Sequence, residues 1–244
     1  SAGTLVQFYA EATDGLGASA TFPARGPDSR ALFKVDEGKA LMNQLHRVGL
    51  LMTTADTQLL HAPTNVMSND SLGLTVVYDE REVFYDVGMH LQSSERGRND
   101  GSRVGFTVRF DPAQRFRGVQ KNFTIDRSGS YSGQGGKHDE ILLWHAVNHA
   151  GGLLGLECDL VQVFAPRSSE DGSGMMRMEA FDSDYFGGQF SNGDAGGRYM
   201  LELIYYPTTT TTGDPQSPKL PQPDDVVNAD LQDWGNDPEN YRWI

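Results

Sequence analysis

Short runs in which apolar and polar residues alternate, divided by turn clusters, constrain this chain more than any other feature. A period of two puts one face of a pleated strand on a core and the other toward solvent. Val83, Tyr85, Val87, Met89 and Leu91 alternate with Phe84, Asp86, Gly88, His90 and Gln92. Val104, Phe106, Val108 and Phe110 alternate with Arg103, Gly105, Thr107 and Arg109. Val6, Phe8, Ala10 and Ala12 repeat the pattern near the start, and Tyr199, Leu201, Leu203 and Tyr205 repeat it near residue 200. Further strands are predicted at 18–22, 30–35, 72–78, 119–125, 157–165 and 175–181. Asp14-Gly15, Asn99-Asp100-Gly101, Asp171-Gly172 and Asn192-Gly193-Asp194 supply the turns between them. No strand–helix–strand rhythm recurs. The expected fold is therefore a β-rich α+β body, an antiparallel β-sandwich of jelly-roll type.

Two helices are expected within it. Leu41, Leu45, Val48 and Met52 share one helical face over 37–52, with Asp36 as N-cap. The second spans 139–150: Asp139-Glu140 suits the positive end of a helix dipole, and Gly151-Gly152 stops it. Its apolar face is expected to centre on Leu143, Ala146, Val147 and Ala150. After Pro207 come five threonines and then Pro215, Pro218, Pro221 and Pro223, an extended composition. The chain thus divides into a body (1–206), a Thr/Pro linker (207–223) and an acidic, aromatic arm (224–244). That arm carries Trp234, Tyr241 and Trp243, side chains that gain most when buried against a partner.

Charge narrows the function. The 244 residues carry a net charge of -13, a field that repels phosphate backbones and argues against direct nucleic-acid binding. No apolar run approaches the ~20 residues of a membrane-spanning helix. Basic residues concentrate between Arg96 and Arg127. Arg96, Arg98, Arg103, Arg115 and Arg117 there form a candidate patch for an acidic partner, the arm of this chain or of a neighbour included. The single cysteine, Cys158, excludes an intrachain disulfide framework and reads as a small packed side chain. Two glycosylation triplets, at Asn69 and Asn122, favour an extracellular or particle-surface setting.

Two constellations could hold metal. His145 and His149 stand four apart on the second helix, the spacing with which a helix chelates zinc, with His138, Glu140 or Glu157 as third ligand. The run His145-Ala-Val-Asn-His149-Ala-Gly-Gly152 resembles the zinc helix of the metzincin proteases, and Met175-Met176 follows downstream as their Met-turn does. Ala146 stands where that family has its general-base Glu, and Gly155 where it has its third His, so no peptidase activity is carried over. Asp182, Asp184, Asn192 and Asp194 could offer oxygen ligands to Ca²⁺, without EF-hand spacing. No phosphate-binding loop and no nucleophile elbow occurs.

The reading that joins these features is a non-catalytic structural subunit of coat, shell or surface-layer type, needing no cofactor. It is a homo-oligomer or docks a protein partner through its C-terminal arm. The segment Gly197 to Pro207 resembles the last strand of a jelly-roll coat protein, which exits into such an arm. The alternatives are a metal-dependent hydrolase centred on His145 and His149, and a secreted carbohydrate- or ligand-binding sandwich.

Overall fold

The computed structural model describes residues 1–35, 38–39, 44–92, 98, 104–126, 139–151, 155–191, 201–203 and 241–243. Its centre is a closed barrel of seven strands: β5 (His46–Leu51), β6 (Leu72–Tyr78), β7 (Glu82–Gln92), β8 (Gly105–Arg109), β9 (Asn122–Asp126), β10 (Cys158–Phe164) and β11 (Gly172–Glu179). The order around the barrel is β5-β6-β7-β8-β9-β11-β10, and β10 then pairs with β5. Every pairing is antiparallel except that last one, which runs parallel from Val161↔His46 to Phe164↔Gly49.

This corrects the expected sandwich or jelly roll. Strand alternation requires only that one face be buried, and a single sheet curled on itself satisfies that as well as two facing sheets do. All seven strands send side chains into one interior: Val48, Val76, Val87, Phe106, Phe123, Val161 and Met175 belong to a single core cluster.

The helix expected over 37–52 is corrected too. Residues 46–51 are β5, with Val48 and Leu50 inward and the residues between them less buried. Val48 and Met52 fit a helical face, but Val48, Leu50 and Met52 also fit a period of two, and closing the barrel selects the strand. The helix nearby is α1 (Thr54–Leu60), one element further on. Thr53 caps it, its Oγ1 accepting from the Asp56 backbone N–H at 3.1 Å and donating to Asp56 Oδ2 at 2.8 Å. Leu60 reaches the core from its last turn. The other helices are α2 (Asp139–Ala150), with the expected bounds, and α3 (Ser183–Gln189).

The alternation along β7 is broken. Leu74 pairs with Val87 and Val76 with Phe84, so Thr75 opposes both Tyr85 and Asp86, a β-bulge with Asp86 at φ 54°. Phe84 therefore points inward before the bulge, and Val87, Met89 and Leu91 after it; Val83 and Tyr85 lie outside the core. The bulge turns the Asp86 carboxylate toward the N-terminal segment, where it accepts from the Arg30 backbone N–H at 2.6 Å and from Ser29 Oγ at 3.1 Å.

That contact lays the N-terminal segment over β6 and β7. There β1 (Leu5–Gln7) pairs with β4 (Leu32–Lys34), and Leu32 N–H donates to Thr75 Oγ1 at 2.9 Å. Gly73 permits the crossing, since a Cβ there would lie 2.7 Å from Arg30 Cγ. Between β1 and β4 the chain makes a hairpin, β2 (Ala10–Thr13) with β3 (Ser19–Phe22), which among the described residues is bonded to no other strand. A further two-stranded ribbon joins β12 (Leu201–Leu203) to β13 (Tyr241–Trp243), in register Leu201↔Trp243. The last residues of the acidic arm thus pair with the chain's own 201–203; the linker and the rest of the arm lie outside the described residues.

One end of the barrel is stoppered by the β8–β9 connection. Arg117 (φ 50°) and Gly118 (φ 75°) make a left-handed turn that folds Phe116 back into the barrel. The Phe116 ring is fully buried, 5.0 Å from the rings of both Tyr78 and Phe123 and 5.6 Å from Phe110.

Candidate functional site

Around the Phe116 stopper the barrel carries a network of charge. Met175 and Arg177 follow one another on the inward face of β11, so the guanidinium of Arg177 is fully buried beneath the stopper. It donates to Glu157 Oε1 at 2.6 Å and to Gln120 Oε1 at 3.3 Å, and lies 5.4 Å from the Phe116 ring centre. Among the described residues its Nε has no hydrogen-bond partner. On the other side of the network Arg117 donates to the same Glu157 oxygen at 2.9 Å and to the Tyr78 hydroxyl at 2.8 Å. Burial works against charge on Glu157. The hydrogen bond and charge of Arg177, then Gln120 and Arg117, outweigh it and hold the carboxyl below its ordinary range. Glu179 moves the other way, pushed up by burial and by the Glu157 charge beside it. At the rim, His46 Nδ1 lies 2.6 Å from Asp79 Oδ2, and the imidazole stacks on Tyr78. These groups bind one another, which makes a rigid cap rather than a set of free acids and bases.

Beside the cap lies a pocket of about 520 Å³ between α2 and the start of β10. Its wall is Ile141, Leu142, His145, Asn148, Leu156, Glu157 and Cys158. Helix α2 meets the body where Asn148 Nδ2 donates to the Leu156 carbonyl at 2.8 Å and Trp144 meets Phe181 edge-on at 6.3 Å. Its apolar residues run all the way round, and Leu142 (67%) and Leu143 (59%) are exposed. The expected apolar face therefore differs from the packed one: Ile141, Trp144 and Val147 turn inward, while Leu143, Ala146 and Ala150 face out. Burial, with the Glu140 charge adding to it, pushes the Cys158 thiol up to about 12, so it remains a thiol at neutral pH.

His145 and His149 lie on α2 with ring centres 4.1 Å apart, and both are exposed. His149 Nδ1 is turned back to the His145 carbonyl at 2.7 Å. Among the described residues no cluster of three His, Cys, Asp or Glu is placed to hold a metal ion. Glu140 accepts from the Trp144 indole N–H at 3.4 Å, and His138 lies outside the described residues. Of the calcium candidates, Asp182 caps α3 through the N–H groups of Asp184 and Tyr185 and accepts from Asn122 Nδ2 at 2.8 Å. Asp184 pairs with Arg115 at 2.7 Å and with Lys121 at 3.3 Å. Asn192 and Asp194 lie outside the described residues.

The arginine patch divides similarly. Arg98 is buried, donating to the Ser68 carbonyl at 3.0 Å and to Asn69 Oδ1 at 2.7 Å. Arg115 and Arg117 have the partners given above, while Arg96, Arg103 and Trp234 lie outside the described residues. Tyr241 and Trp243 belong to β13.

Two features leave no signal in the local sequence. One is a buried pair, His61 Nε2 at 3.3 Å from Glu170 Oε2, with Arg167 at 3.8 Å from the other carboxylate oxygen. The partners are more than a hundred positions apart, which local spacing cannot join. The other is the freedom of the β2–β3 hairpin. Every residue from Glu11 to Ala20 is exposed, and Leu16 at its tip is 96% exposed. At its root Phe22 (62% exposed) and Phe8 meet Tyr85 edge-on, beside exposed Phe33, Tyr9 and Val35.

Comparison with protein-family models finds no match to this chain, and comparison with curated proteins finds none either. Among the described residues no helix is long and apolar enough to cross a membrane.

Proposed function

We propose that the chain is a non-catalytic assembly subunit, of coat, shell or surface-layer type, joined to its neighbours by elements that project from a rigid barrel. The observation that carries this reading is the β2–β3 hairpin. A lone two-stranded hairpin is marginal in water, and this one presents an exposed leucine at its tip, two backbone edges unpaired among the described residues, and an aromatic root. Exposed apolar groups arranged in this way mark a surface that meets another protein. The C-terminal ribbon β12–β13 is the second such element, and the aromatic arm that leads to it belongs to the same reading. The filled barrel and the mutually paired charges at its end give a subunit that keeps its shape while its edges are engaged. The metal-hydrolase alternative has the two adjacent imidazoles in its favour and lacks, among the described residues, a third ligand.

The test is native mass by light scattering of the full chain across a range of concentrations, beside full-length Leu16→Asp and Trp243→Ala variants. The full chain is expected as a defined oligomer or particle, and the variants as smaller species. A full chain that stays monomeric throughout would overturn the assembly reading.

A further inference from the structure

Two imidazoles on α2 make a pair that the assembly reading does not use. His145 and His149 stand one turn apart, so the helix brings both to one side. Leu142, His145, Ala146 and His149 form an exposed stripe at the i, i+3, i+4, i+7 spacing. Other histidines of the barrel are engaged: His46 Nδ1 meets Asp79, His61 is packed beside Glu170, and His90 is buried. The His149 ring is already oriented. Its Nδ1 lies 2.7 Å from the His145 carbonyl oxygen. A carbonyl only accepts, so Nδ1 carries the hydrogen, and the lone pair of the neutral ring is on Nε2. A backbone carbonyl on the other ring nitrogen is a common way for a metal-binding imidazole to be fixed in tautomer and direction.

The spacing of the rings agrees. Two imidazoles bound side by side on one ion, with nitrogen about 2.0–2.1 Å from the metal, bring their ring centres about 4–5 Å apart. The ring centres of His145 and His149 are 4.1 Å apart, with 39° between their planes. Charge agrees as well: a chain of net charge -13 draws cations, and the last turn of a helix, where His149 stands, carries partial negative charge. We propose that His145 and His149 bind one divalent transition-metal ion, copper(II) in preference to nickel(II) or zinc(II), with water in its remaining positions. The preference follows from the donors. Two cis imidazoles completed by water make the tetragonal nitrogen–oxygen arrangement of copper(II), which is also the tightest binder of the divalent series. Zinc sites bring three or four protein ligands, and among the described residues no third one joins these two. The ion clamps one turn of α2 to the next just before Gly151 (φ 74°), so it stabilises the end of that helix. The inference stands apart from the assembly reading.

The experiment titrates the metal-free full chain with copper(II), nickel(II) and zinc(II) salts by calorimetry, beside full-length His145→Gln and His149→Gln variants. Circular dichroism confirms that each variant is folded, and His149→Asn replaces His149→Gln if the helix end is disturbed. One copper(II) per chain is expected, held more tightly than nickel(II) or zinc(II). Each variant should bind it at least about tenfold to a hundredfold more weakly, the loss already seen when only an outer partner of a metal ligand is removed. Paramagnetic resonance of the copper(II) form should show two imidazole nitrogens in the unaltered chain and one in either variant. Copper(II) should raise the melting temperature of the unaltered chain and leave the variants nearly unmoved.

Either folded variant binding copper(II) as tightly as the unaltered chain would place the ion elsewhere, the terminal amine included, and overturn the site. A full chain that takes up no copper(II), or one that holds zinc(II) more tightly, overturns the proposal too. None of these results bears on the assembly reading, which native mass decides.

Discussion

Removing the Glu157 carboxylate should cost the fold more than removing the Arg177 charge that it meets. The two ends of this ion pair sit in different surroundings: Arg177 is fully buried, whereas the Glu157 side chain is 42% exposed. In Glu157→Ala the guanidinium stays buried; among the described residues Gln120 at 3.3 Å and the Phe116 face remain beside it, and its Nε has no partner. Orphaning a buried charge costs about 3–5 kcal/mol. The half-exposed carboxylate screens its own end, so about 3 kcal/mol is the expected value. In Arg177→Met the buried charge is replaced by an apolar chain, while Glu157 keeps Arg117 at 2.9 Å and Gln120 Nε2 at 2.9 Å. Such a replacement costs about 1 kcal/mol or less. Urea unfolding reads the difference directly, and on heating a loss of 3 kcal/mol corresponds to about 6–12 °C in a chain of this size. The double variant should be more stable than Glu157→Ala alone. The pH sign follows from the depressed carboxyl. Its contribution is present above the ordinary carboxylate value and lost as pH falls through the lower folded value. The gap between the natural chain and Glu157→Ala should then be constant near neutrality and shrink below ~pH 4. An Arg177→Met variant as unstable as Glu157→Ala would refute the argument.

Phe116→Ala should cost about 3–5 kcal/mol in urea unfolding, since it empties the centre of an aromatic cluster, and a loss under about 1 kcal/mol would show that the stopper is not part of the packed core. Asp86→Ala should cost about 1.5–3 kcal/mol by removing the carboxylate that receives Arg30 N–H and Ser29 Oγ, and should speed hydrogen exchange at Arg30 and Leu32. Asp86→Asn should cost less, because asparagine keeps an acceptor and tolerates φ 54°; equal losses would count against the bulge as the anchor. Burial pushes the His90 imidazole below its ordinary value, so the stability linked to its neutral form is present above ~pH 6.5 and lost as pH falls toward the lower folded value. A denaturation series from pH 7 to 5 should show a decline that His90→Gln lacks, and parallel curves would exclude His90 as its source.

Much of the secondary structure was legible because it is local. The 72–78 strand and the 139–150 helix have the bounds that periodicity and flanking residues indicate. What was illegible depends on partners far away in sequence. Val48 fits both a helical face and a strand face, and only pairing with Tyr78 on one side and Val163 on the other decides it. The alternation from Val83 to Leu91 continues in the sequence through a point where the strand bulges, so periodicity alone puts Tyr85 on the core face and Phe84 off it, the reverse of the fold. Barrel and sandwich share the same alternation, and the choice between them lies in one parallel pairing. At the candidate sites, local sequence places Arg115 and Arg117 in a basic run, while their carboxylates, Asp184 and Glu157, are contributed by distant segments. The Asp14-Gly15 turn was visible, but that its hairpin stands clear of the barrel follows from the packing of β1 and β4.

The parallel pair β5–β10 also sets an order of events. Strands β5 to β9 follow one another in the chain and pair with their neighbours, so that sheet can be built from hairpins of low sequence separation. It then has two bare margins, on β5 and on β9, each a row of unpaired N–H and C=O groups. Both are covered only when the β10–β11 hairpin inserts between them, one strand against each. On a ribosome working from N- to C-terminus, the first 126 residues are out well before that hairpin exists. The interval between making β9 and making β11 is when this chain is most open to pairing with other copies in the wrong way, and any fragment that ends before β10 is held permanently in that state.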